Sequence, residues 1–314
     1  MSSGGGGRSI LGWVIGVGLL IGLIALTHYS VGWQSLLAPW RAIRPEVLAA
    51  ALGLVVGSYA LRTVRIHEYF QPDTRGQFLR TFRLVLLHNL LNNLLPMRSG
   101  EASFPLLMAR EFRVAFSRSI PGLVYLRVLD LHFVLFLGIT VLLWERGNSA
   151  WALALLLAPI PYGIYRAQEW LRARLAHRQG RVSRIGREIL EGLPSTPSLF
   201  WKTWLWTAVN WTVKLMVFAW ILQAFAPMPY AYALLGSTTG ELSSVLPFHG
   251  IAGAGTYEAG VLASLVPLGV QLEAALSAAV NLHLFVLGSS ILAGVGAALV
   301  PFGERQPDER GEHS

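Results

Sequence analysis

The 314-residue chain is rich in apolar side chains and poor in charged ones, which excludes an ordinary soluble domain. Hydrophobic residues make up 54% of it, charged residues 13%, and the mean hydropathy is +0.51. Apolar runs of the length needed to cross about 30 Å of hydrocarbon recur along most of the sequence. The absence of cysteine excludes disulfides, thiolate nucleophiles and cysteine metal sites. The composition predicts an all-α, polytopic helical membrane protein.

The formal charge of +8 comes mostly from arginine, and its placement is typical of the positive-inside bias of membrane proteins. It gives little support to nucleic-acid binding, because anionic lipid headgroups are the nearest acidic partners of such a chain. The arginine-rich connections and both termini are therefore predicted to be cytoplasmic.

The first membrane half is predicted over residues 10–165, behind a flexible glycine-rich leader at residues 1–9. An arginine-rich connection containing Arg62 and Arg65 follows its second span and is assigned to the cytoplasm. Two short arms interrupted by proline and glycine predict a re-entrant hairpin over 77–112. Full spans are predicted over residues 10–27, 46–64, 120–144 and 149–165.

The second half, residues 199–302, follows the connection 166–198, whose arginines and regularly spaced aliphatic residues predict one amphipathic helix over 166–193. A second interrupted unit over 231–266 predicts another re-entrant hairpin, and a charged tail occupies 303–314. The charge pattern makes the two hairpins enter from opposite sides, as in an inverted repeat, although ten complete spans would give the same sidedness. Two further spans, which bring the total to about six, are predicted over 199–225 and 272–300.

The first hairpin carries polar side chains within an apolar region, on both sides of a break between Pro96 and Gly100. Such groups are costly in hydrocarbon, and interrupted backbone is tolerated there only where protein or water satisfies it. The segment is therefore predicted to line a cavity. Its candidate binding residues are Asn89, Asn92, Asn93, Arg98 and Glu101.

Arg98 is suited to a phosphate, because its planar guanidinium can donate two parallel hydrogen bonds. Glu101 would balance that charge or accept a headgroup amine. The three asparagines share one helical face, and two interpretations stay open: they line the cavity, or they bond one helix to another.

The second hairpin repeats the order of the first about 150 residues downstream, where Pro247 and His249 correspond to Pro96 and Arg98. Two interrupted segments in corresponding halves are typical of a transporter binding site. Helix N-termini aimed at the midplane would offer a partial positive charge to an anion. The candidate residues of this hairpin are Glu241, His249, Gly253, Gly255 and Glu258.

Three ionisable residues inside the predicted spans complete the candidate site. Arg127 and Asp130 lie three residues apart on one helical face, which predicts either a neutralised buried pair, or a contact with a lipid phosphate or a role in a gate. Lys214 lies near the middle of its span, too deep to reach either surface easily, and is predicted to face a cavity. Other buried histidines are expected to be satisfied in the core rather than to bind a ligand; they are His88, His132 and His283.

The sequence contains no motif for zinc-dependent hydrolysis, no Ser/His/Asp set and no dinucleotide- or ATP-binding motif. The protein is therefore expected not to be an enzyme and to need no metal or other cofactor. Energy for any transport would have to come from a gradient, a partner or mass action.

Several of these residues form an ordered pattern along the chain: Asn89, Asn93, Pro96, Arg98, Gly100, Glu101, Pro247, Gly253, Gly255 and Glu258. The pattern resembles the lysylphosphatidylglycerol synthase/flippase membrane-region family, over nearly the whole chain. The resemblance implies a bacterial inner (plasma) membrane protein with paired re-entrant elements that moves a lipid between leaflets. Family members that synthesise lysylated lipid carry a further aminoacyl-transfer domain, which this chain is expected to lack because it ends at Ser314.

The leading hypothesis is therefore a flippase for a polar-headgroup lipid: a phospholipid, an aminoacylated lipid or an isoprenoid-linked lipid. A lipid-modifying membrane enzyme or accessory and a non-transporting scaffold remain as alternatives. The arginine-rich connection is expected to contact anionic headgroups, and the sequence leaves a homo-oligomer possible.

Overall fold

A computed structural model describes residues 5–145, 149, 151–176, 180–245 and 251–299, and contains no strand within those ranges. The prediction of an all-α fold is confirmed. The helices of the first half are α1 (Gly5–Ser30), α2 (Trp33–Ala42), α3 (Pro45–Tyr69), α4 (Phe78–Leu94), α5 (Ser103–Phe112) and α6 (Phe116–Glu145), with a 3-10 segment over Pro96–Ala102.

The second half and the connection before it are also helical. They comprise α7 (Trp151–Ala154), α8 (Ile160–Arg166), α9 (Gln168–Ala176), α10 (Arg181–Glu191), α11 (Pro197–Phe225), α12 (Tyr230–Val245), α13 (Thr256–Leu265) and α14 (Leu272–Leu299), with a second 3-10 segment over Ile251–Gly253.

Four helices in the described part of the chain are long and apolar enough to cross a bilayer: α3, α6, α11 and α14. The pair formed by the end of α1 and by α2 passes the same test as one span bent by 82°. The bend is at Gly32, whose φ of +78° suits a residue without a side chain. The chain is thus a multi-pass membrane protein, with four such helices among the described residues, or five if the bent pair is counted.

The prediction of one spanning helix over 149–165 is wrong. Turns separate α7 from α8 between Leu155 and Pro159. Pro159 and Pro161 have no backbone N–H to donate to the preceding turn, so two helical hydrogen bonds are missing at the point where α7 would have to continue into α8. Of the remaining predicted spans, 46–64 is too short, because α3 continues to Tyr69.

The prediction of a single amphipathic helix over 166–193 is also wrong, because α9 and α10 are separate helices. Gly180 precedes α10 with a φ of +129°, outside the helical region. Helix α10 packs on α6, and just after its end the carbonyl of Gly192 accepts a hydrogen bond of 2.7 Å from the hydroxyl of Tyr69 on α3. The predicted leader is helical from Gly5 onward, while residues 1–4 and the tail 303–314 lie outside the described residues.

Both predicted interruptions are present. In the first hairpin α4 ends at Leu94 and the 3-10 segment folds back, bringing Gly100 so close to the backbone of Leu91 and Asn92 that a Cβ would not fit. In the second, α12 ends at Val245 and α13 begins at Thr256. The two 3-10 segments touch each other, and α1 contacts both.

The two halves pack against each other through corresponding elements. Helix α3 lies against α11, α4 against α14, and α6 against α12. Most of one large apolar core lies around α11 to α14, and another lies around α3 to α6. The ionisable side chains discussed below come from helices that meet between these cores.

Candidate functional site

Asp130 on α6 is the most heavily bonded acid in the described interior. Its carboxylate is fully buried and accepts hydrogen bonds from both terminal nitrogens of Arg65 on α3. Arg127, one turn earlier, donates to it at 3.3 Å, and the indole of Trp211 on α11 donates at 2.7 Å. The same Arg65 also donates to the hydroxyl of Thr207 at 2.8 Å. One carboxylate therefore joins three helices.

Arg127 connects this centre to the first break. Its guanidinium lies 3.0 Å from Glu101, at the end of the 3-10 segment, and 3.3 Å from Nε2 of His88 on α4. Because arginine only donates, that ring nitrogen accepts, and the opposite nitrogen donates to the hydroxyl of Ser103 at 2.8 Å. His88 is accordingly a neutral member of the network.

Lys214 on α11 forms the second ion pair of the interior. Its amine lies 2.7 Å from Glu241 on α12, with side-chain exposures of 10% and 5%. The same amine lies 4.7 Å from the ring of Trp211 and 5.1 Å from that of Phe218, within cation–π range. Trp211 therefore contacts both ion-pair systems.

Arg62 on α3 differs from the other interior cations. It is only 6% exposed, yet within the described chain no carboxylate lies within ion-pair distance of it. One terminal nitrogen donates to the side-chain oxygen of Asn89 at 3.3 Å, the guanidinium lies 5.9 Å from the Trp211 ring, and its Nε has no partner. We call the following seven residues the central polar cluster: Arg62, Arg65, Glu101, Arg127, Asp130, Lys214 and Glu241.

The second break has its own contact between a carboxylate and a histidine. Glu258, in the first turn of α13, lies 2.6 Å from Nδ1 of His283 on α14 and accepts from the backbone N–H of Gly255 at 2.8 Å. Tyr257 stacks on the His283 ring with centroids 4.6 Å apart. The N-terminus of α13, predicted as an open anion site, is thus already capped by a carboxylate of the same helix.

The pairs recur at matching sequence separations. Arg62 and Asn89 join α3 to α4 across 27 residues, and Lys214 and Glu241 join α11 to α12 across 27 residues. Arg127 reaches back 26 residues to Glu101, and the His283 to Glu258 pair on α14 and α13 spans 25. Corresponding helices in the two halves therefore carry corresponding polar contacts.

A family model described as "Lysylphosphatidylglycerol synthase TM region" matches residues 13–294. The chain belongs to this family. No curated protein and no solved structure matches it. Membership in the lysylphosphatidylglycerol synthase membrane-region family makes it a membrane protein related to lipid handling, as the resemblance implied.

The predicted site residues of this family member fall into distinct environments. Asn89 and Asn93 both donate to Ser290 on α14, at 3.2 and 2.7 Å, so these amides bond α4 to another helix. The side-chain oxygen of Asn92 is buried without a partner. Gly253 and Gly255 have φ near +80°, which a turn into α13 requires.

Two predicted anion-binding residues cannot be placed. His249 and the side chain of Arg98 lie outside the described part of the structure. The proposed phosphate role of Arg98 stays a prediction. A cleft of about 350 Å³ opens elsewhere, between the end of α6 and the second hairpin, lined in part by Glu145, Thr239 and Ser264.

Sequence reasoning missed several members of the network. Arg62 and Arg65 were assigned to a cytoplasmic connection because consecutive arginines usually end a span. Their three-residue spacing after Tyr59, itself bonded to Ser290, would have placed them on one face of a longer helix. Trp211 and Ser290 gave no signal of their own, because a tryptophan or serine in an apolar run has no partner visible in the sequence.

Proposed function

We propose that the protein is an inner-membrane flippase that moves a polar-headgroup lipid between leaflets, passing the headgroup through the central polar cluster. One observation carries the proposal: seven ionisable side chains cluster where the two halves of the chain meet, five of them buried and two, Glu101 and Arg127, with 22% of the side chain exposed. Charges are expensive in a membrane interior, and intramembrane ionisable residues usually mark the path of a substrate.

The paired arrangement suits a transient headgroup. A phosphate can take the place of a carboxylate beside arginine, since both accept two parallel hydrogen bonds. The acyl tails would remain in the bilayer while the headgroup passes.

The recurrence of polar pairs in the two halves supports an inverted repeat. Helices α3 and α11 pack together, and the contact of α4 with α14 corresponds to that of α12 with α6. In transporters built this way, one repeat rocks against the other around a site at the bilayer midplane. The two touching 3-10 segments would then be the gate of the pathway.

The connection formed by α9 and α10 is proposed to lie on the cytoplasmic membrane surface. Trp170 is 63% exposed and Val182 84% exposed, with Arg172 and Arg184 near them in the sequence. Aromatic and aliphatic side chains beside arginines are typical of segments bound to anionic lipid. With α3, α6, α11 and α14 as the spans, we propose that both termini lie on the same cytoplasmic side.

The proposed activity is transport without chemical change, because the cluster binds charge and supplies no activated nucleophile. The described residues contain no group of histidines and carboxylates arranged for a metal. Lipid recovered after incubation with purified protein should therefore be covalently unchanged. A modified lipid would instead assign the family member to lipid chemistry.

The decisive experiment is leaflet transfer of a labelled lipid in proteoliposomes. The double variant Lys214→Met/Glu241→Met removes an ion pair without leaving either charge alone, so the fold is expected to persist. Transfer should fall at least about tenfold, since the pathway loses two polar partners.

A matched control removes an ion pair at the surface. The Arg44 and Glu46 side chains lie 3.5 Å apart and are 77% and 73% exposed. Arg44→Gln/Glu46→Gln should transfer lipid at the wild-type rate. Equal rates for wild type and the Lys214/Glu241 variant would refute the proposal.

A further inference from the structure

The charge of the central polar cluster is unbalanced. In the part that the structure describes, four of its members are cationic and three are anionic, and the adjacent His88 is neutral by its hydrogen bonds. Every carboxylate in it is already engaged: Asp130 by two arginines, Glu101 by Arg127 and Glu241 by Lys214. The surplus positive charge lies on Arg62.

The comparison between halves shows where the missing carboxylate would be. Lys214 meets Glu241 27 residues later, whereas Arg62 meets the neutral amide of Asn89 27 residues later. An amide oxygen accepts a hydrogen bond but carries no charge. The first half therefore retains the helix contact and lacks the counter-ion.

A buried arginine that no carboxylate of the protein neutralises is strongly destabilising, and an anion bound from outside the chain would remove that cost. Arg62 has an unpartnered Nε, and Trp211 covers its guanidinium with an aromatic face. Aromatic packing occupies the face of a guanidinium and not its edge, and the edge is where an acceptor with two oxygens would bond once the surrounding helices part. A phosphodiester has that geometry and carries one negative charge.

We propose that Arg62 is the phosphate site of the transported lipid, and that the protein selects lipids whose headgroup carries a net charge of minus one. The phosphodiester supplies the one negative charge that the cluster lacks. A zwitterionic headgroup, and still more an aminoacylated cationic one, brings an amine for which no carboxylate of the cluster is spare. The proposal rests on the proposed lipid transport and specifies its substrate class.

Binding measured in detergent tests the site separately from transport. Purified protein is titrated with short-chain phosphatidylglycerol, short-chain phosphatidylcholine or inorganic phosphate, and bound ligand is counted by native mass spectrometry. Wild type should bind phosphatidylglycerol at least about tenfold more tightly than the other two ligands. Arg62→Gln should reduce that preference to near unity, whereas Arg44→Gln, at an exposed arginine, should preserve it.

A second variant supplies the missing counter-ion. Asn89→Asp places a carboxylate where the second half has Glu241, so it should stabilise the fold against heat and abolish the preference for phosphatidylglycerol. A purely structural role for Arg62 predicts the reverse for Arg62→Gln: lower thermal stability with unchanged lipid preference. That result would overturn the proposal.

The other possible results of these binding and transport measurements also test the proposal. Arg62-dependent binding of inorganic phosphate as tight as that of the lipid would assign the site to free phosphate and overturn the lipid selectivity. Wild type that binds both lipids equally would overturn it too. Selective binding without leaflet transfer would refute the transport function alone, whereas transfer with Arg62-independent binding would refute only this inference.

Discussion

The two halves of the molecule use the same contact positions with different chemistry. In the second half, Lys214 meets Glu241 and His283 meets Glu258, so each basic group faces its own carboxylate. In the first half, Arg62 meets only the amide of Asn89. The fold thus tolerates a neutral partner at the matching position, and the difference is one of charge rather than of helix packing. The cation on α11 is neutralised within the second half, and Arg62 on α3 is not neutralised within the first.

The same comparison holds for helix packing. A Cβ on Gly294 of α14 would lie 2.6 Å from the Cβ of Leu90 on α4, whereas a Cβ on Gly138 of α6 would lie 3.2 Å from a methyl of Thr238 on α12. Both contacts require a small residue for close approach. The contact of α4 with α14 is the tighter one.

The largest loss in the free energy of unfolding should come from Asp130→Asn. The change leaves the buried Arg65 without a carboxylate and removes one of the two acids beside Arg127, which should cost about 4 to 5 kcal/mol in the free energy of unfolding. Unfolding in mixed micelles measures it. Asp73→Asn, which breaks a partly exposed pair with Arg118, should cost less than about 1 kcal/mol. Equal losses would contradict a special role for the buried acid.

The next largest loss of stability is expected when the carboxylate opposite Lys214 is replaced by an amide, the kind of partner that Arg62 has in the first half. Glu241→Gln leaves Lys214 facing an amide, as Arg62 does, and should cost about 3 kcal/mol because a buried pair is broken. The Lys214→Met/Glu241→Met double variant should recover most of this loss in the same unfolding measurement. If the single and double variants lose equal stability, packing rather than charge governs the site.

A smaller loss of stability is expected from added side chains at the contacts of α4 with α14 and of α6 with α12. Gly294→Ala should cost about 1 to 3 kcal/mol, because the Cβ of Leu90 cannot move without its backbone. Gly138→Ala should cost less than about 1 kcal/mol, since a methyl can shift. Gly288→Ala, in open space on α14, is the control and should stabilise by up to about 1 kcal/mol. Thermal midpoints of unfolding in detergent rank the three variants by stability. Equal midpoints for Gly138→Ala and Gly294→Ala would contradict the claim that the contact of α4 with α14 is the tighter one.

The smallest effect concerns the hydroxyl that joins α4 to α14. Ser290→Ala removes the acceptor for Asn89 and Asn93 and should cost about 1 kcal/mol in the same thermal assay. Ser289→Ala is matched to it, because that hydroxyl bonds only within its own helix, to Phe285 and Val286. A larger loss for Ser289→Ala would count against the interhelical network.

Much of the architecture follows from local rules. Apolar length predicted α6, α11 and α14 to within a few residues, and the proline and glycine positions predicted both breaks. The failure at 149–165 has a local cause as well, since Pro159 and Pro161 interrupt a run that composition alone reads as a span.

The pairing within the site could not be predicted in the same way. The contact of Arg127 with Asp130, three residues apart on one helix, was one of the two interpretations that the sequence offered, and the structure shows it. The contact of Lys214 with Glu241 could not be predicted, because which charges meet across different helices depends on how those helices pack. Arg62 and Arg65 were lost because a surface connection and a buried helical face look alike when arginines occur in series. Only the contact of α3 with α11 distinguishes the two.

The central claim is that lipid passes between the two halves as they move apart. A cross-link between α6 and α12 tests it most directly, because the native chain has no cysteine and the Gly138 and Thr238 positions lie within disulfide reach. Leaflet transfer in proteoliposomes is measured for Gly138→Cys/Thr238→Cys, oxidised and then reduced, beside each single variant. The account predicts that oxidation stops transfer in the double variant alone and that reduction restores it. Equal transfer in the oxidised and reduced states would contradict it.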